Sequence, residues 1–312
     1  FQEEDGIRVS VASRGLGDEY KRQISQGLLT VDQIVENAER FSVPSVALTD
    51  KSNLFAFVKF YEMSINAGVK PIAGIELSVE SSIGGVKSEG RIVLLAMNNI
   101  GYSRLIELAS GAYTNSSRRG VVLEDTVLSE CKDLIVLSGG IKGHIWDVLQ
   151  RNDLKTATTI LKKWKEKLGN RYFLELTRTG RLQEENHVQE LLKISLKEDI
   201  PLVATNDVCF ENYDDYEAHE ARVCINDGRT LDDPRRERFY SPEQYLKTPG
   251  QMAELFKDVP SALANSVEIA KRCNFMVKLD ECYLPHYPTP SGESLDEYLS
   301  CLLYTSPSPR DA

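Results

Sequence analysis

The sequence predicts an α/β protein built on a (β/α) barrel, and two observations indicate this fold class. Short β-type runs alternate along the chain with amphipathic helical patterns, an order typical of a parallel sheet covered by helices. Several predicted strands also end in a polar residue: Asp50, Glu76, Ser138, Thr177 and Asp207. In a (β/α) barrel the carboxyl ends of the strands form the face that carries chemistry. An open doubly wound sheet gives the same linear pattern, so periodicity alone leaves that alternative open.

The predicted elements begin with a capped helix. Thr30 and Gln33 form a Thr-x-x-Gln capping box, and apolar residues follow at helical spacing. Six β-type runs follow, at 45–49, 72–79, 92–96, 134–137, 172–176 and 202–204. Helical patterns lie between and after them, at 54–65, 100–113, 145–167, 183–198, 213–225, 249–257 and 260–273. The proline-rich segment 283–290 predicts an extended connector to a further domain.

Composition and charge exclude several classes of protein. The net charge of −10 argues against a self-sufficient nucleic-acid binder, because phosphate neutralisation needs a basic surface. No apolar run approaches the roughly 20 residues that cross a bilayer, and the acidic start does not resemble a signal peptide. The six cysteines show no CxxC pair, which favours reduced, mostly buried thiols. These features predict a cytoplasmic protein that does not contact a membrane.

The two ends of the chain share one coding element in opposite orientations. Codons can be chosen for residues 13–18 so that the complementary DNA strand also encodes part of this chain. Read from its second base, that strand encodes Ser-Pro-Ser-Pro-Arg, which is the sequence of residues 306–310. The translation resembles a sequencing adapter across 13–23 and 301–311. Residues 1–12 lie upstream of that element and share no pattern with the rest of the chain. We therefore predict that 1–23 and 301–312 are non-native, and that the native stretch is 24–300.

Ten motifs in order along 24–300 carry a family resemblance. They are Ala47-Leu48-Thr49-Asp50, Val58-Lys59-Phe60-Tyr61, Gly68-Val69-Lys70-Pro71-Ile72-Ala73-Gly74, Leu137-Ser138-Gly139-Gly140, Tyr172-Phe173-Leu174-Glu175-Leu176, Ala204-Thr205-Asn206-Asp207-Val208, Ala218-His219-Glu220, Asp227-Gly228-Arg229-Thr230-Leu231-Asp232-Asp233-Pro234, Tyr240-Ser241-Pro242 and Ala264-Asn265-Ser266-Val267-Glu268-Ile269-Ala270-Lys271-Arg272-Cys273. On these motifs the stretch resembles the amino-terminal PHP domain of bacterial DNA polymerase III alpha subunits, the C-family replicative polymerases. Arg178-Thr179-Gly180-Arg181 together with the Asp-Asp-Pro element is most similar to the proteobacterial branch.

The resemblance implies a distorted (β/α)7 barrel over 24–275, followed by a helical segment. Residues 276–300 would be a connector and the start of the polymerase palm region. The family's first motif, a His-x-x-x-His-Ser stretch, would lie just upstream of Gly27, where adapter-like sequence stands. The barrel is therefore expected to be incomplete at its amino terminus, with one unpaired edge and poor solubility.

The resemblance also implies where a metal site would be. In active members of the family, histidines and carboxylates on one face of the barrel bind metal ions that hydrolyse phosphoesters. Glu76 and Asp207 stand at acidic ligand positions, but histidine is replaced by Lys51, Thr179 and Cys209. A lysine ammonium there would repel a divalent cation. No bound metal and no catalytic residue are therefore expected in this chain, and Asp50, Ser138 and His219 are further candidates on the same face.

Structural roles are favoured for the residues that remain. Glu76 and Asp207 are interpreted as relics held by hydrogen bonds or by Lys51, since a buried carboxylate without a partner would be costly. Cys209 is interpreted as a buried thiol rather than a zinc ligand. The four histidines show no metal-ligand spacing; they are His144, His187, His219 and His286. For each of them a structural or solvated role is favoured over ligation.

The resemblance finally implies a function. The parent would be a DNA-directed DNA polymerase, a nucleotidyltransferase that uses Mg²⁺ and contacts DNA through domains beyond this stretch. The stretch itself would be a degenerate scaffold that docks the proofreading exonuclease (epsilon) subunit among other replicase subunits, with no cofactor of its own. The alternative is an active metal-dependent phosphoesterase or 3′–5′ exonuclease, which would need zinc, manganese or iron.

Overall fold

A computed structural model of the protein describes residues 9–12, 27–83, 86–114, 120–151, 153–236, 238–279, 287–290 and 292–305. The chain divides into two compact units at residues 277 and 278. The predicted adapter-like ends lie mostly outside the described residues, as do residues 280–286 with His286. In the described part of the chain no helix is long and apolar enough to span a bilayer.

The first unit contains a mixed sheet and ten helices in its described part. Its strands are β1 Val9–Ala12, β2 Ser45–Leu48, β3 Lys70–Ile83, β4 Val86–Ala96, β5 Val121–Leu123, β6 Leu134–Leu137, β7 Tyr172–Leu176 and β8 Leu202–Ala204. Its helices are α1 Val31–Arg40, α2 Phe57–Asn66, α3 Asn99–Thr114, α4 Glu124–Glu130, α5 Trp146–Gln150, α6 Leu154–Leu168, α7 Glu184–Glu198, α8 Tyr216–Asp227, α9 Pro249–Leu255 and α10 Pro260–Arg272. The six predicted strands are confirmed, and the predicted helix at 145–167 is divided into α5 and α6.

The second unit contains one helix in its described part, α11 Leu295–Thr305. Its first turn is capped by Ser294, whose hydroxyl accepts a hydrogen bond from the Glu297 amide and whose backbone amide donates one to the Glu297 carboxylate at 3.1 Å. This reciprocal pattern is a capping box.

The strands form one curled sheet in the order β1-β2-β3-β4-β6-β7-β8, with β5 paired to β3. All neighbours are parallel except β4, which is antiparallel to both β3 and β6. The prediction of a parallel sheet is therefore wrong at β4. Only residues 84 and 85 separate β3 from β4, whereas a parallel connection needs a crossover of a dozen or more residues. The seven strands along this path agree with the distorted (β/α)7 barrel.

The expected unpaired edge concerns the predicted native stretch 24–300, and in the whole chain this edge of β2 is paired by residues outside that stretch. Residues 9–12 pair with β2 in parallel, from Val9 opposite Ser45 to Ala12 opposite Leu48. The run Val-Ser-Val-Ala is short and rich in strand-forming residues, and a free sheet edge accepts such a segment through its backbone groups. Its origin outside the native stretch stays a prediction.

The two faces of the sheet pack differently. The outer face buries its apolar side chains against the surrounding helices, with Phe57, Phe60 and Trp164 fully covered. The inner face carries a smaller apolar cluster that α10 covers; its members are Ala47, Ile72, Val93, Leu95, Ile135, Leu137, Phe173, Val203, Ile269, Ala270 and Cys273. Asn265 on α10 also donates a hydrogen bond to the Leu202 carbonyl at 2.7 Å. The inner cluster thus fills one end of the barrel.

Candidate functional site

The other end of the inner face is polar, and alternation along the strands explains why. Residues two apart on a strand point to the same side. Glu175 therefore shares the inner face with Phe173, Thr205 with Val203, and Arg91 with Val93. Since β4 runs antiparallel, its amino-terminal part meets the carboxyl ends of the parallel strands. We call this polar end of the inner face the rim.

Arg91 lies at the centre of the rim and joins two carboxylates. Its Nη1 donates to Glu76 Oε2 at 3.2 Å, and its Nη2 lies 3.5 Å from Asp207 Oδ2. Its Nε donates to the Gly139 carbonyl at 2.6 Å. The three charged side chains are each 8 to 10% exposed, so water screens these contacts little. One guanidinium thus bridges the two positions where active relatives are expected to hold metal ligands.

A second guanidinium approaches the same carboxylate. Arg181 Nη2 lies 2.9 Å from Asp207 Oδ2, and its Nε donates to the Thr179 hydroxyl at 2.8 Å. The hydroxyl of Thr179 in turn donates to Glu184 Oε1 at 3.0 Å. Arg91, Arg181 and the groups they contact form one continuous set of charged and hydrogen-bonded side chains, which we call the arginine network.

Glu184 anchors the outer end of the arginine network. It accepts hydrogen bonds from the Thr177 hydroxyl at 2.9 Å and from the backbone amide of Thr179. It is also the first residue of α7, where the helix dipole favours a negative charge. The loop from Thr177 to Arg181 is therefore fixed by a single buried carboxylate.

Glu175 is a further buried carboxyl on the rim. Its Oε1 accepts a hydrogen bond from the Thr205 hydroxyl at 2.6 Å, and its backbone amide donates to the Ser138 hydroxyl oxygen at 2.9 Å. Burial raises the pKa of Glu175, and the charges of Asp207 and Glu76 add to that rise, whereas Arg91 and Thr205 oppose it. Among the described residues, no hydrogen bond is made to its Oε2.

Lys51 does not play the part expected of it. Its backbone pairs with Glu76, yet its side chain is exposed, and in the described part of the chain no ion pair links it to a carboxylate. Glu76 and Asp207 are instead contacted by Arg91 and Arg181. Of the two alternatives expected for these carboxylates, hydrogen bonds or Lys51, the contacts found are those of the first. Consecutive residues point to opposite sides of an extended segment, so Lys51 is turned away from Asp50, which is buried.

The other two replaced positions are buried. Thr179 is fully covered and connects Arg181 to Glu184 within the arginine network. Cys209 is also fully covered; its Sγ accepts a hydrogen bond from Gln244 Nε2 at 3.3 Å. Ser138 lies at the end of β6 and orients Glu175 through its hydroxyl.

The described histidines lie among aromatic side chains. His219 on α8 is buried, with its ring centroid 4.5 Å from Tyr240 and 5.6 Å from Phe210. His144 contacts the Ser138 carbonyl through Nδ1 at 3.2 Å and the Tyr172 hydroxyl through Nε2 at 3.1 Å. His187 packs edge-on against Trp146 at 4.9 Å. In the described residues no group of three or more histidines, cysteines or carboxylates could hold a metal ion.

Two of these histidines make folding stability depend on pH. Burial lowers the pKa of His144 to about 4 and that of His187 to about 4. Both values lie below the unfolded value of about 6.5, so the unfolded state binds more protons as the pH falls. Stability is therefore complete above pH 6.5 and declines toward pH 4, and each histidine contributes about 2 kcal/mol to the loss at pH 4.5.

The double variant His144→Asn, His187→Asn tests this expectation. Urea unfolding at pH 7 and pH 4.5 is compared for the variant and the original chain, so that carboxylates titrating in the same range affect both equally. Between pH 7 and pH 4.5, the free energy of unfolding is expected to fall by several kcal/mol less in the variant than in the original chain. An equal loss in both proteins would contradict the assignment.

The rim residues do not fit a divalent metal cluster. Metal ligation would require the oxygens of Glu76 and Asp207 to face a cation at about 2.0–2.6 Å, and guanidinium nitrogens already occupy that space. The two arginines also repel a divalent ion. Lys51, Thr179 and Cys209 stand where the resemblance implies histidine, and the oxygens of Glu76 and Asp207 belong to a network of carboxylates and guanidinium groups.

Sequence reasoning missed the residues that complete the network, which are Arg91, Glu175, Arg181 and Glu184. Arg181 and Glu175 carried a signal, as parts of the elements Arg178-Thr179-Gly180-Arg181 and Tyr172-Phe173-Leu174-Glu175-Leu176. Arg91 follows Gly90 in a strand and reads as a solvent-facing residue until the antiparallel course of β4 is known.

Comparisons with known proteins indicate the family of the chain. The family model of the PHP domain matches residues 21–179. DNA polymerase III subunit alpha of Pseudomonas aeruginosa is 43% identical over 278 residues, which is 88% of this chain and 23% of that protein. The corresponding protein of Escherichia coli K12 is 42% identical over 275 residues, with 88% and 24% covered. The chain thus spans about a quarter of the length of these relatives.

A solved structure is similar at a lower level. An amidohydrolase from Chromobacterium violaceum is 12% identical, with a TM-score of 0.38 over 69% of this chain and 96% of that one.

Proposed function

The chain belongs to the PHP domain family, and we propose that it is the PHP portion of a replicative DNA polymerase in which it acts as a scaffold without hydrolytic activity. In the full-length parent, DNA-templated chain elongation with Mg²⁺ would be carried out by domains beyond this stretch. The support is the identity of more than 40% to DNA polymerase III alpha subunits over 88% of this chain.

The observation that carries the scaffold role is the guanidinium of Arg91 between Glu76 and Asp207. A phosphoesterase of this family needs an electrophilic metal and a metal-bound hydroxide at that point. A guanidinium can neutralise the two carboxylates, but its protons are not released at neutral pH and it generates no hydroxide. The rim therefore contributes stability to the fold rather than a nucleophile.

The partner we propose is the proofreading exonuclease subunit, together with other replicase subunits. A domain without its own hydrolytic centre can take part in proofreading only by positioning an exonuclease that acts in trans. The net charge of −10 leaves DNA contact to other domains, since a polyanion is repelled by this surface. A cytoplasmic location follows from this role.

Binding of the exonuclease subunit tests the proposal. The 312-residue chain is immobilised and exposed to the purified proofreading exonuclease subunit of a proteobacterial replicase, with an unrelated metal-dependent PHP phosphatase on a parallel surface as control. Saturable binding to the chain and none to the control is expected. A chain that unfolds cooperatively in urea, and is therefore folded, but that fails to bind would contradict the docking role.

A further inference from the structure

A segment that follows the barrel lies across the rim. Residues 239–247, which we call the strap, connect α8 to α9 without regular secondary structure. Near its start, Phe239 lies under the ammonium of Lys142, which belongs to the loop after β6, with 4.2 Å between Nζ and the ring centroid. The strap therefore contacts the rim loops in addition to its own chain neighbours.

The strap pairs through its backbone with the segment that follows β8. The Cys209 amide donates to the Gln244 carbonyl at 2.8 Å, and the Leu246 amide donates to the Phe210 carbonyl at 3.0 Å. Asn206 adds a side-chain hydrogen bond to the Tyr245 carbonyl at 2.8 Å. The strap thus extends the sheet edge beyond β8 by a few residues.

Two side chains of the strap join it to the arginine network. The Ser241 hydroxyl donates to the Thr179 carbonyl, while the hydroxyl of the same threonine contacts Arg181 and Glu184. Gln244 Nε2 lies 3.3 Å from Asp207 Oδ2, the oxygen that Arg91 and Arg181 also approach. Thr179 and Asp207 are therefore shared between the network and the strap.

We propose that the arginine network latches the strap, so that breaking the network opens residues 239–247 as a local unit while the rest of the barrel stays folded. Without Arg181, the oxygen of Asp207 and the hydroxyl of Thr179 lose their common partner. The two groups that position Ser241 and Gln244 are then held by fewer contacts, Thr179 by Glu184 and Asp207 by Arg91. Local opening of this kind is the usual behaviour of a segment joined by few contacts to a stable core.

Cys209 reports whether the strap is open. Its thiol is fully covered, and Gln244 contacts it through both a side-chain and a backbone hydrogen bond. Three other described cysteines are buried in elements other than the strap and report unfolding beyond it; they are Cys131, Cys224 and Cys273. Cys301 is exposed and reports the intrinsic rate of labelling.

The experiment is pulsed labelling of the 312-residue chain with N-ethylmaleimide under native conditions, quantified for each cysteine by peptide mass spectrometry. The variant Gln244→Ala loosens the strap directly, and Arg181→Met breaks the network from a distance. Both are expected to raise the labelling rate of Cys209 roughly tenfold or more, the population change produced by losing one hydrogen bond to a charged group. The rates of Cys131, Cys224 and Cys273 are expected to stay unchanged.

The matched control is Asp32→Asn, which removes an exposed ion pair with Lys59 remote in sequence from the strap. This variant is expected to leave the labelling rate of Cys209 unchanged. The proposal is overturned if Arg181→Met leaves Cys209 protected while Gln244→Ala exposes it, because the strap would then be held independently of the network. It is overturned equally if all four buried thiols react together, because the strap would then not open as a separate unit.

Discussion

Replacing Arg91 with methionine is expected to lower the free energy of unfolding by about 3–5 kcal/mol. Methionine keeps the length of the side chain but removes the charge that lies between Glu76 and Asp207. Both carboxylates would stay largely buried, and Glu76 would lose its arginine partner. Breaking a buried ion pair by removing one member costs this much because the remaining charge is desolvated without compensation.

Urea unfolding of the variant and the original chain, followed by circular dichroism, measures the change. Lys59→Met is the matched control, because the ion pair of Lys59 with Asp32 is 60% and 49% exposed and is expected to contribute less than about 1 kcal/mol. A loss below about 1 kcal/mol in Arg91→Met would show that the arginine network does not stabilise the rim.

Gly139→Ala is expected to destabilise the chain by more than about 3 kcal/mol, a size that indicates a specific steric cause. Gly139 has φ of +86°, which L side chains rarely adopt, and a Cβ at this position would lie 2.1 Å from the Arg91 carbonyl oxygen. The Arg91 carbonyl oxygen belongs to the backbone, so it cannot move away by a side-chain rotation. A shift of the backbone that relieves this clash would also disturb the hydrogen bond from Arg91 Nε to the Gly139 carbonyl.

Gly250→Ala is the control for this glycine. Nothing lies within 4 Å of a Cβ built at Gly250, and the residue belongs to α9. Alanine is expected to leave stability unchanged or raise it by up to about 1 kcal/mol through helix propensity. Thermal unfolding of the two variants side by side measures both effects. A Gly139→Ala variant that melts with the original chain would contradict the close approach of Gly139 to Arg91.

Six strands and most of the helices could be predicted from the sequence because each contains a short apolar run or an amphipathic repeat, whereas β1, β5, α4 and α11 were not predicted. The direction of β4 could not, since 92–96 reads the same in either orientation. The direction of β4 is decided by the residues that extend β3 and β4 toward positions 84 and 85. These residues include polar residues and glycines and show no strand periodicity. The edge pairing of 9–12 depends on backbone groups, which leave no pattern in the side chains.

The candidate site was accessible to sequence reasoning only in part. Glu76 and Asp207 could be placed on the rim because both are polar residues at predicted strand ends and stand where the resemblance implies acidic ligands. The cation considered beside them was Lys51, which stands at a position where the family resemblance implies histidine, whereas the cations found there are Arg91 and Arg181. Their position depends on the antiparallel course of β4 and on the loop anchored by Glu184, and both are properties of the tertiary structure.

Titration of the purified 312-residue chain with Mn²⁺ in a calorimeter, followed by an assay of phosphoester hydrolysis in the same buffer, tests the central claim most directly. The claim is that guanidinium groups stand where active PHP domains bind metal. The expected result is no saturable binding and no hydrolysis above the rate of buffer with Mn²⁺. Stoichiometric binding accompanied by hydrolysis would contradict the claim and favour an active metal-dependent phosphoesterase.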